Sequence, residues 1–393
     1  MIRVLHVVNS MNPVLGGVCK AVRTITTSLI ANGVQNEVVS LDDPNADFIA
    51  KDTFTLHTLG TANNTWGYNP NLLPWLKNNV SKFDFVIVHG LWLYSSFAVN
   101  KVFKVQLGLK YFVMPHGMLD PYFQKASGRR IKALRNWLYW KLIEKNVVNQ
   151  AKGLLFTCQE ELQLARLTFN PYKPNKEIIV GLGVEGPPEN QPQMDMAFRN
   201  SCKNLGNQPF LLFLSRIHEK KGVDLLIRAY QKIIKNKPNN MIMPGLVIAG
   251  PGLETNYGKK ILHMVNDDET IKNTIFFPGM LSGDAKWGAF YNCDAFILPS
   301  HQENFGIAVV EALGCSKPVL ISNKVNIWKE IHQAEAGIMN EDTLDGTIKY
   351  LYEWISMSIK EKEAMRDNAK SCFKAHYSVG SVVRRWKNEV LKS

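Results

Sequence analysis

An α/β chain of two doubly wound domains, each built on a parallel sheet, is what this sequence predicts, and three observations predict it. The length, 393 residues, suits two domains. Apolar strand-like runs alternate with helix-like runs through both halves, the pattern that packs helices on both faces of a parallel sheet. A Pro-rich polar stretch, residues 186–208, separates the halves and reads as a linker. The expected division is residues 1–185 for the N-terminal domain, 186–208 for the linker and 209–375 for the C-terminal domain.

In chain order, the first half offers strands at 2–8, 37–41, 84–89, 111–115 and 153–157. A helix over 18–32 follows the first strand, and Gly33 is placed to end it. The second half offers strands at 210–215, 245–250, 275–278, 295–299 and 318–322, with an amphipathic helix over 223–234. Residues 382–391 read as a further amphipathic helix. Two consecutive doubly wound domains are expected to leave an interdomain cleft, a favoured place for ligands.

Composition narrows the class. An apolar fraction of 46% suits large cores, and no uninterrupted apolar run is long enough for a transmembrane helix. Residues 1–8 read as a buried strand and not as a signal peptide. Six scattered cysteines without a C-x-x-C pair argue for reduced thiols, a cytoplasmic location and no zinc site. A net charge of +12 favours anionic partners. No zinc finger, RNP-type motif or Lys/Arg block of nucleic-acid type is present, which argues against nucleic acid. One segment, 125–145, gathers Lys125, Arg129, Arg130, Lys132, Arg135, Lys141 and Lys145 against Glu144 alone. Trp137, Leu138, Tyr139, Trp140, Leu142 and Ile143 are interleaved with them. That mixture suits a helix lying on an anionic membrane; it also suits a helix packed on its own sheet with a basic outer face.

Candidate site residues fall just past predicted strands. After 295–299 come Glu303, Asn304, Phe305, Gly306 and Ile307, then Glu311. A helix starting near Phe305 would leave the amides of Gly306, Ile307 and Ala308 free for a phosphate. Eight residues at helical rise cover about 12 Å, roughly the reach from a sugar across a diphosphate to a ribose. Glutamates at helix starts are also commonly solvated caps. After 210–215, Arg216 and Lys221 sit five residues apart, either as a diphosphate clamp or as a solvated basic loop. Gly250 and Gly252 could let a ligand approach the backbone or simply make a turn. Met280 and Leu281 could flank a nucleobase. Gly16 and Gly17 join the first strand to its helix, in a phosphate contact or a plain turn. His89-Gly90 and His116-Gly117 each follow a strand. Dinucleotide-fold and P-loop glycine motifs are absent.

Together these residues resemble the retaining GT-B nucleotide-sugar glycosyltransferases of family 4, also called glycosyl transferases group 1. Gly16-Gly17, His116-Gly117, the Thr157, Glu160 and Glu161 segment, Arg216, Lys221-Gly222, Gly250-Pro-Gly252 and the Glu303/Glu311 pair carry the resemblance over nearly the whole chain. It implies a GT-B fold and transfer of a sugar from a nucleotide diphosphate to an acceptor hydroxyl, of hexosyltransferase type. Arg216 and Lys221 would neutralise the diphosphate, Glu303 would hold sugar hydroxyls, and Glu311 would hold the ribose. Asn304, Phe305 and Gly306 would offer backbone contacts, and His116 would sit near the transferred sugar. Gly16 and Gly17 would approach the donor phosphates or the acceptor. His89 and Asp120 are weaker acceptor-side candidates. No cofactor or metal is implied; the co-substrate is a UDP or GDP sugar. Residues 117–121 and 324–328 resemble the branch that builds bacterial polysaccharides, with a saccharide or lipid-linked saccharide as acceptor. A C-terminal helix, 376–393, would pack back on the first domain. Two departures stand out: Val180-Gly181-Leu182-Gly183-Val184 replaces a common Pro-Asn-Gly-Val stretch, and Ser316 stands where the family often has glycine. A sugar-nucleotide epimerase and a non-catalytic sugar-nucleotide-binding partner of a polysaccharide assembly complex are the alternative readings.

Overall fold

The computed structural model describes residues 2–106, 108–125, 130–238 and 241–392. Two compact units emerge. The first comprises Met1–Gly183 and Val379–Ser393, and the second Val184–Ser378.

Among the described residues the first unit holds a seven-stranded parallel sheet in the order β3-β2-β1-β4-β5-β6-β7. Its strands are β1 (Arg3–Val7), β2 (Gln35–Ser40), β3 (Thr55–Thr58), β4 (Phe85–His89), β5 (Tyr111–Met114), β6 (Gly153–Phe156) and β7 (Glu177–Ile179). Strands β4, β5 and β6 are buried along their whole length, which is why they read as near-continuous apolar runs. The edge strands β3 and β7 are short and half exposed, carry Thr, His and Glu, and show no such run. Helix α1 (Gly17–Ile30) turns Cys19, Val22, Ile25 and Leu29 inward at helical spacing. Helix α2 (Arg130–Tyr139) continues into a π-helical turn, Trp140–Glu144, and α3 (Gln159–Ala165) follows β6. Residues 379–393 complete this unit. Val382, Val383, Trp386 and Val390 are buried, and Arg385 Nε donates to the Val180 carbonyl at 3.2 Å. Residues 376–378 stay with the second unit.

The first helix of the second unit, α4 (Pro192–Ser201), lies inside the stretch expected to be a linker. Proline at the first helical turn suits a helix start, so the Pro-rich composition there marks a helix as well as a connection. Phe198 stacks on Phe210 with ring centroids 5.1 Å apart, burying α4 against its own sheet. That sheet, six-stranded and parallel among the described residues, runs β10-β9-β8-β11-β12-β13. Its strands are β8 (Phe210–Leu214), β9 (Gly245–Ala249), β10 (Ile275–Gly279), β11 (Ala295–Leu298), β12 (Val319–Ser322) and β13 (Gly337–Asn340). Helices α5 (Val223–Asn236), α6 (Gly283–Asn292) and α7 (Ile307–Gly314) bear on the site.

Each sheet reverses its strand order once, between β1 and β4 in the first unit and between β8 and β11 in the second. Open parallel sheets bind ligands outside the carboxyl ends of their strands at such a switch.

Candidate functional site

At the switch of the second sheet, the loop after β8 is stitched to the loop after β11. His301 N donates to the Lys220 carbonyl at 2.9 Å, and Ser300 Oγ donates to the same oxygen at 3.0 Å. Gly222 sits between them in the left-handed region (φ +67°), where a Cβ would meet the Pro299 carbonyl oxygen at 2.1 Å. This seam brings Lys221 Nζ into an ion pair with Glu303 Oε2, with the lysine largely buried. Glu303 is fixed from behind as well: its N donates to the Lys324 carbonyl and its own carbonyl accepts from Asn326 N, each at 2.9 Å. Arg216, on the same loop as Lys221, is exposed and has no acidic partner among the described residues.

Glu311 is buried on α7 and pairs with Lys286 Nζ of α6 at 2.9 Å. Sequence reasoning missed Lys286, because the contact joins two helices and follows no local spacing. Helix α7 begins at Ile307, later than expected, because Gly306 is held at φ +75° as its N-cap. Glu303 therefore precedes the helix on a loop, and the 12 Å helical reach assumed between the two glutamates does not apply. The amides of Ile307 and Ala308 still open α7 without a carbonyl ahead of them in the helix.

Gly250 and Gly252 lie where the β9 loop crosses the β8 loop. Gly250 has φ +142°, and a Cβ there would meet the Ser215 carbonyl oxygen at 1.9 Å, so close backbone approach is the steric reason for this glycine. Met280 is exposed, whereas Leu281 is buried. Phe305 is also buried, edge-on to Tyr377, so only its backbone is available to a ligand. Asn304 accepts from Asn326 Nδ2 at 3.3 Å.

At the switch of the first sheet, three histidines form a chain. His6 Nδ1 lies 2.9 Å from His89 Nε2, and His89 Nδ1 lies 2.9 Å from His116 Nε2. Neighbouring rings stack with centroids 5.2 Å apart. His89, expected to face an acceptor, is 2% exposed with both ring nitrogens engaged; it stands behind His116. Burial lowers His6 and His116 to about 4, Asn36 partly opposing this at His6, and lowers His89 well below the usual imidazole value. His116 itself is half buried and has φ +52°. Its turn is held by the buried Glu161 carboxylate, which accepts from Gly117 N at 2.6 Å and from Thr157 N at 2.7 Å. Asp120 accepts from Tyr122 N at 2.8 Å and caps the next helical turn. Gly16 (φ +101°) caps α1, and Gly17 opens it, with nothing within 4 Å of an added Cβ at either.

The nearest class this architecture defines is the GT-B fold. Residues 197–371 match the family described as glycosyl transferases group 1, and residues 16–183 match the glycosyl transferase 4-like domain. The two matches together span most of the chain, and it belongs to the group 1 glycosyltransferases. Among its relatives are an uncharacterized glycosyltransferase of Methanocaldococcus jannaschii, 26% identical over 49% of this chain and 47% of that one. Another is a GDP-mannose-dependent α-(1-6)-phosphatidylinositol monomannoside mannosyltransferase of Mycolicibacterium smegmatis, 23% identical over 59% of this chain and 61% of that one. These matches cover less than two thirds of either relative. Among solved structures, Anabaena HepE in complex with UDP and glucose aligns over 100% of both chains with a TM-score of 0.75 at 14% identity. A glycosyltransferase from Rickettsia africae aligns over 98% of this chain and 96% of that one, with a TM-score of 0.74 at 16% identity.

Proposed function

We propose that this chain transfers a sugar from a nucleoside diphosphate sugar to an acceptor hydroxyl, with retention at the anomeric carbon. The observation that carries the reading is the seam of the second unit, where Lys221 and Glu303 pair on the loops that also carry Arg216, exposed and without an acidic partner among the described residues. Glu303 and Lys221 offer fixed polar groups to sugar hydroxyls. Glu311, aligned by Lys286, suits a ribose diol. Arg216, Lys221 and the first amides of α7 stabilise the charge that develops on the departing diphosphate. In the reaction the anomeric C–O bond to the diphosphate breaks and a bond to the acceptor oxygen forms on the same face. The acceptor's proton passes to the leaving phosphate. The chemistry calls on no resident cofactor or metal. UDP and GDP are the donors to test, since the Anabaena structure holds UDP and the mycobacterial relative is named for GDP-mannose. In the first unit His116 is the group assigned to the transferred sugar, and Asp120 is the acceptor-side candidate. A saccharide or lipid-linked saccharide of the bacterial surface is the acceptor class.

A lipid-linked acceptor agrees with the outer face of α2 and its continuation. Ile131, Leu134, Trp137, Leu138 and Leu142 are exposed there, beside exposed Lys132, Arg135 and Lys141. Trp140 instead turns into the core. Arg129 lies outside the described residues. Among the described residues no helix is long and apolar enough to cross a membrane. We read this stripe as a contact with the anionic inner leaflet of the plasma membrane.

Thermal-shift titration with UDP, GDP and their sugars tests the donor site, with Arg216→Ala and Glu311→Ala alongside. One base should raise the melting temperature, and both variants should lose the shift. Turnover of the matching sugar should fall at least a hundredfold in Arg216→Ala. A protein indifferent to every nucleotide would overturn the reading.

A further inference from the structure

The direction of every hydrogen bond in the histidine chain of the first unit is set from its far end. Asn36 Nδ2 donates to the Val34 carbonyl at 2.9 Å, which turns Asn36 Oδ1 toward His6 Nε2 at 3.0 Å. The reversed amide would press Oδ1 against a carbonyl oxygen, acceptor on acceptor. His6 therefore carries its hydrogen on Nε2, and its Nδ1 is the acceptor. His89 must then donate from Nε2 to His6 and accept at Nδ1. His116 must donate from Nε2 to His89. That leaves a lone pair on His116 Nδ1, which has no partner among the described residues. The three rings sit on or just after adjacent strands β1, β4 and β5, so the sheet itself holds the spacing. His6, His89 and Asn36 are all at most 4% exposed, so water does not compete along the chain. The left-handed backbone at His116, fixed by Glu161 through Gly117, keeps the last ring in line.

We propose that Asn36, His6 and His89 are positioning residues that present His116 as an imidazole whose Nδ1 accepts a hydrogen bond from a carbohydrate hydroxyl. The ligand class rests on the glycosyltransferase reading; the tautomer does not. A ring fixed in this way selects a neutral donor group over an anion, because its outward atom is an acceptor.

Nitrogen-15 imidazole NMR of the full chain labelled at histidine tests the tautomer without any substrate. The His6→Gln, His89→Gln and His116→Gln variants assign the signals. At neutral pH all three rings should carry a single hydrogen, on Nε2. A hydrogen on His116 Nδ1 in the wild type overturns the proposal. In Asn36→Leu the anchor is gone, and His116 should become a mixture of tautomers. Turnover should fall roughly tenfold or more while nucleotide affinity is unchanged. An unaltered Nε2–H tautomer in Asn36→Leu also overturns it. If that variant does not fold, the wild-type spectrum decides. Failure of the nucleotide titration would remove the donor reading and leave the NMR result standing.

Discussion

Ser316 holds a left-handed conformation (φ +59°) that suits glycine, and its hydroxyl has no partner among the described residues. The left-handed region costs a residue with a Cβ roughly 1–2 kcal/mol. Glycine removes that cost but gives part of it back as greater freedom in the unfolded chain. Ser316→Gly should therefore stabilise the protein by about 0.5 kcal/mol in urea denaturation, and a loss of stability would contradict the argument. Glu144 is a second residue whose surroundings set its behaviour. It is fully buried and accepts from Trp92 N at 2.7 Å and Ser96 Oγ at 2.8 Å, but Oε2 has no partner among the described residues. Burial raises it from 4.5 to about 7, against those two hydrogen bonds. The unfolded carboxyl ionises first, so stability falls as pH rises from about 4.5 to about 7 and levels off above. Glu144→Gln removes this dependence. Relative to that variant, the wild type should lose on the order of 1–3 kcal/mol between pH 4.5 and pH 8. Parallel stability profiles for the two proteins would show that the carboxyl is not held this way.

Elements explain both what the sequence revealed and what it concealed. The buried central strands were legible because a strand covered on both faces must be apolar throughout, as in Phe85–His89 and Gly245–Ala249. Strand β13 escaped because four residues beginning with glycine carry too little pattern, and β3 and β7 because their faces are half exposed. The charged candidate residues were chosen from their position after strands. Their partners could not, since Lys286 reaches Glu311 and Asn36 reaches His6 only through tertiary packing. Gly222 is where element packing and site geometry depend on one atom. An alanine there needs an unfavourable φ and sets its Cβ 2.1 Å from the Pro299 carbonyl oxygen, so the two loops must part. Gly222→Ala should cost more than about 2 kcal/mol and abolish the nucleotide-dependent thermal shift, because Lys221 moves with the loop. Retention of that shift at full size would show that the seam does not organise the site.

At the scale of the whole molecule, the net charge of +12 matters through where it is displayed. Trp140 and Glu144 face the core of the first unit, which leaves Ile131, Leu134, Leu138 and Leu142 along the opposite side of the same helical stretch. Lys141 lies 5.7 Å from the Trp137 ring, a cation and an aromatic together at the rim. On an anionic bilayer each basic residue near the surface contributes about 1 kcal/mol, and each inserted large apolar side chain about 1.5 kcal/mol or more. Several of each make a reversible attachment that weakens as salt screens the charged part. The full chain should therefore float with vesicles containing phosphatidylglycerol at low ionic strength and be released in part by added salt. It should not float with phosphatidylcholine alone. Leu134→Asp with Leu142→Asp should abolish flotation without altering the nucleotide thermal shift, since neither side chain is in the core and both belong to the other unit from the residues proposed to bind the donor. Absence of flotation at low salt would assign the stripe to a different partner and leave the acceptor's attachment to lipid without support from this surface.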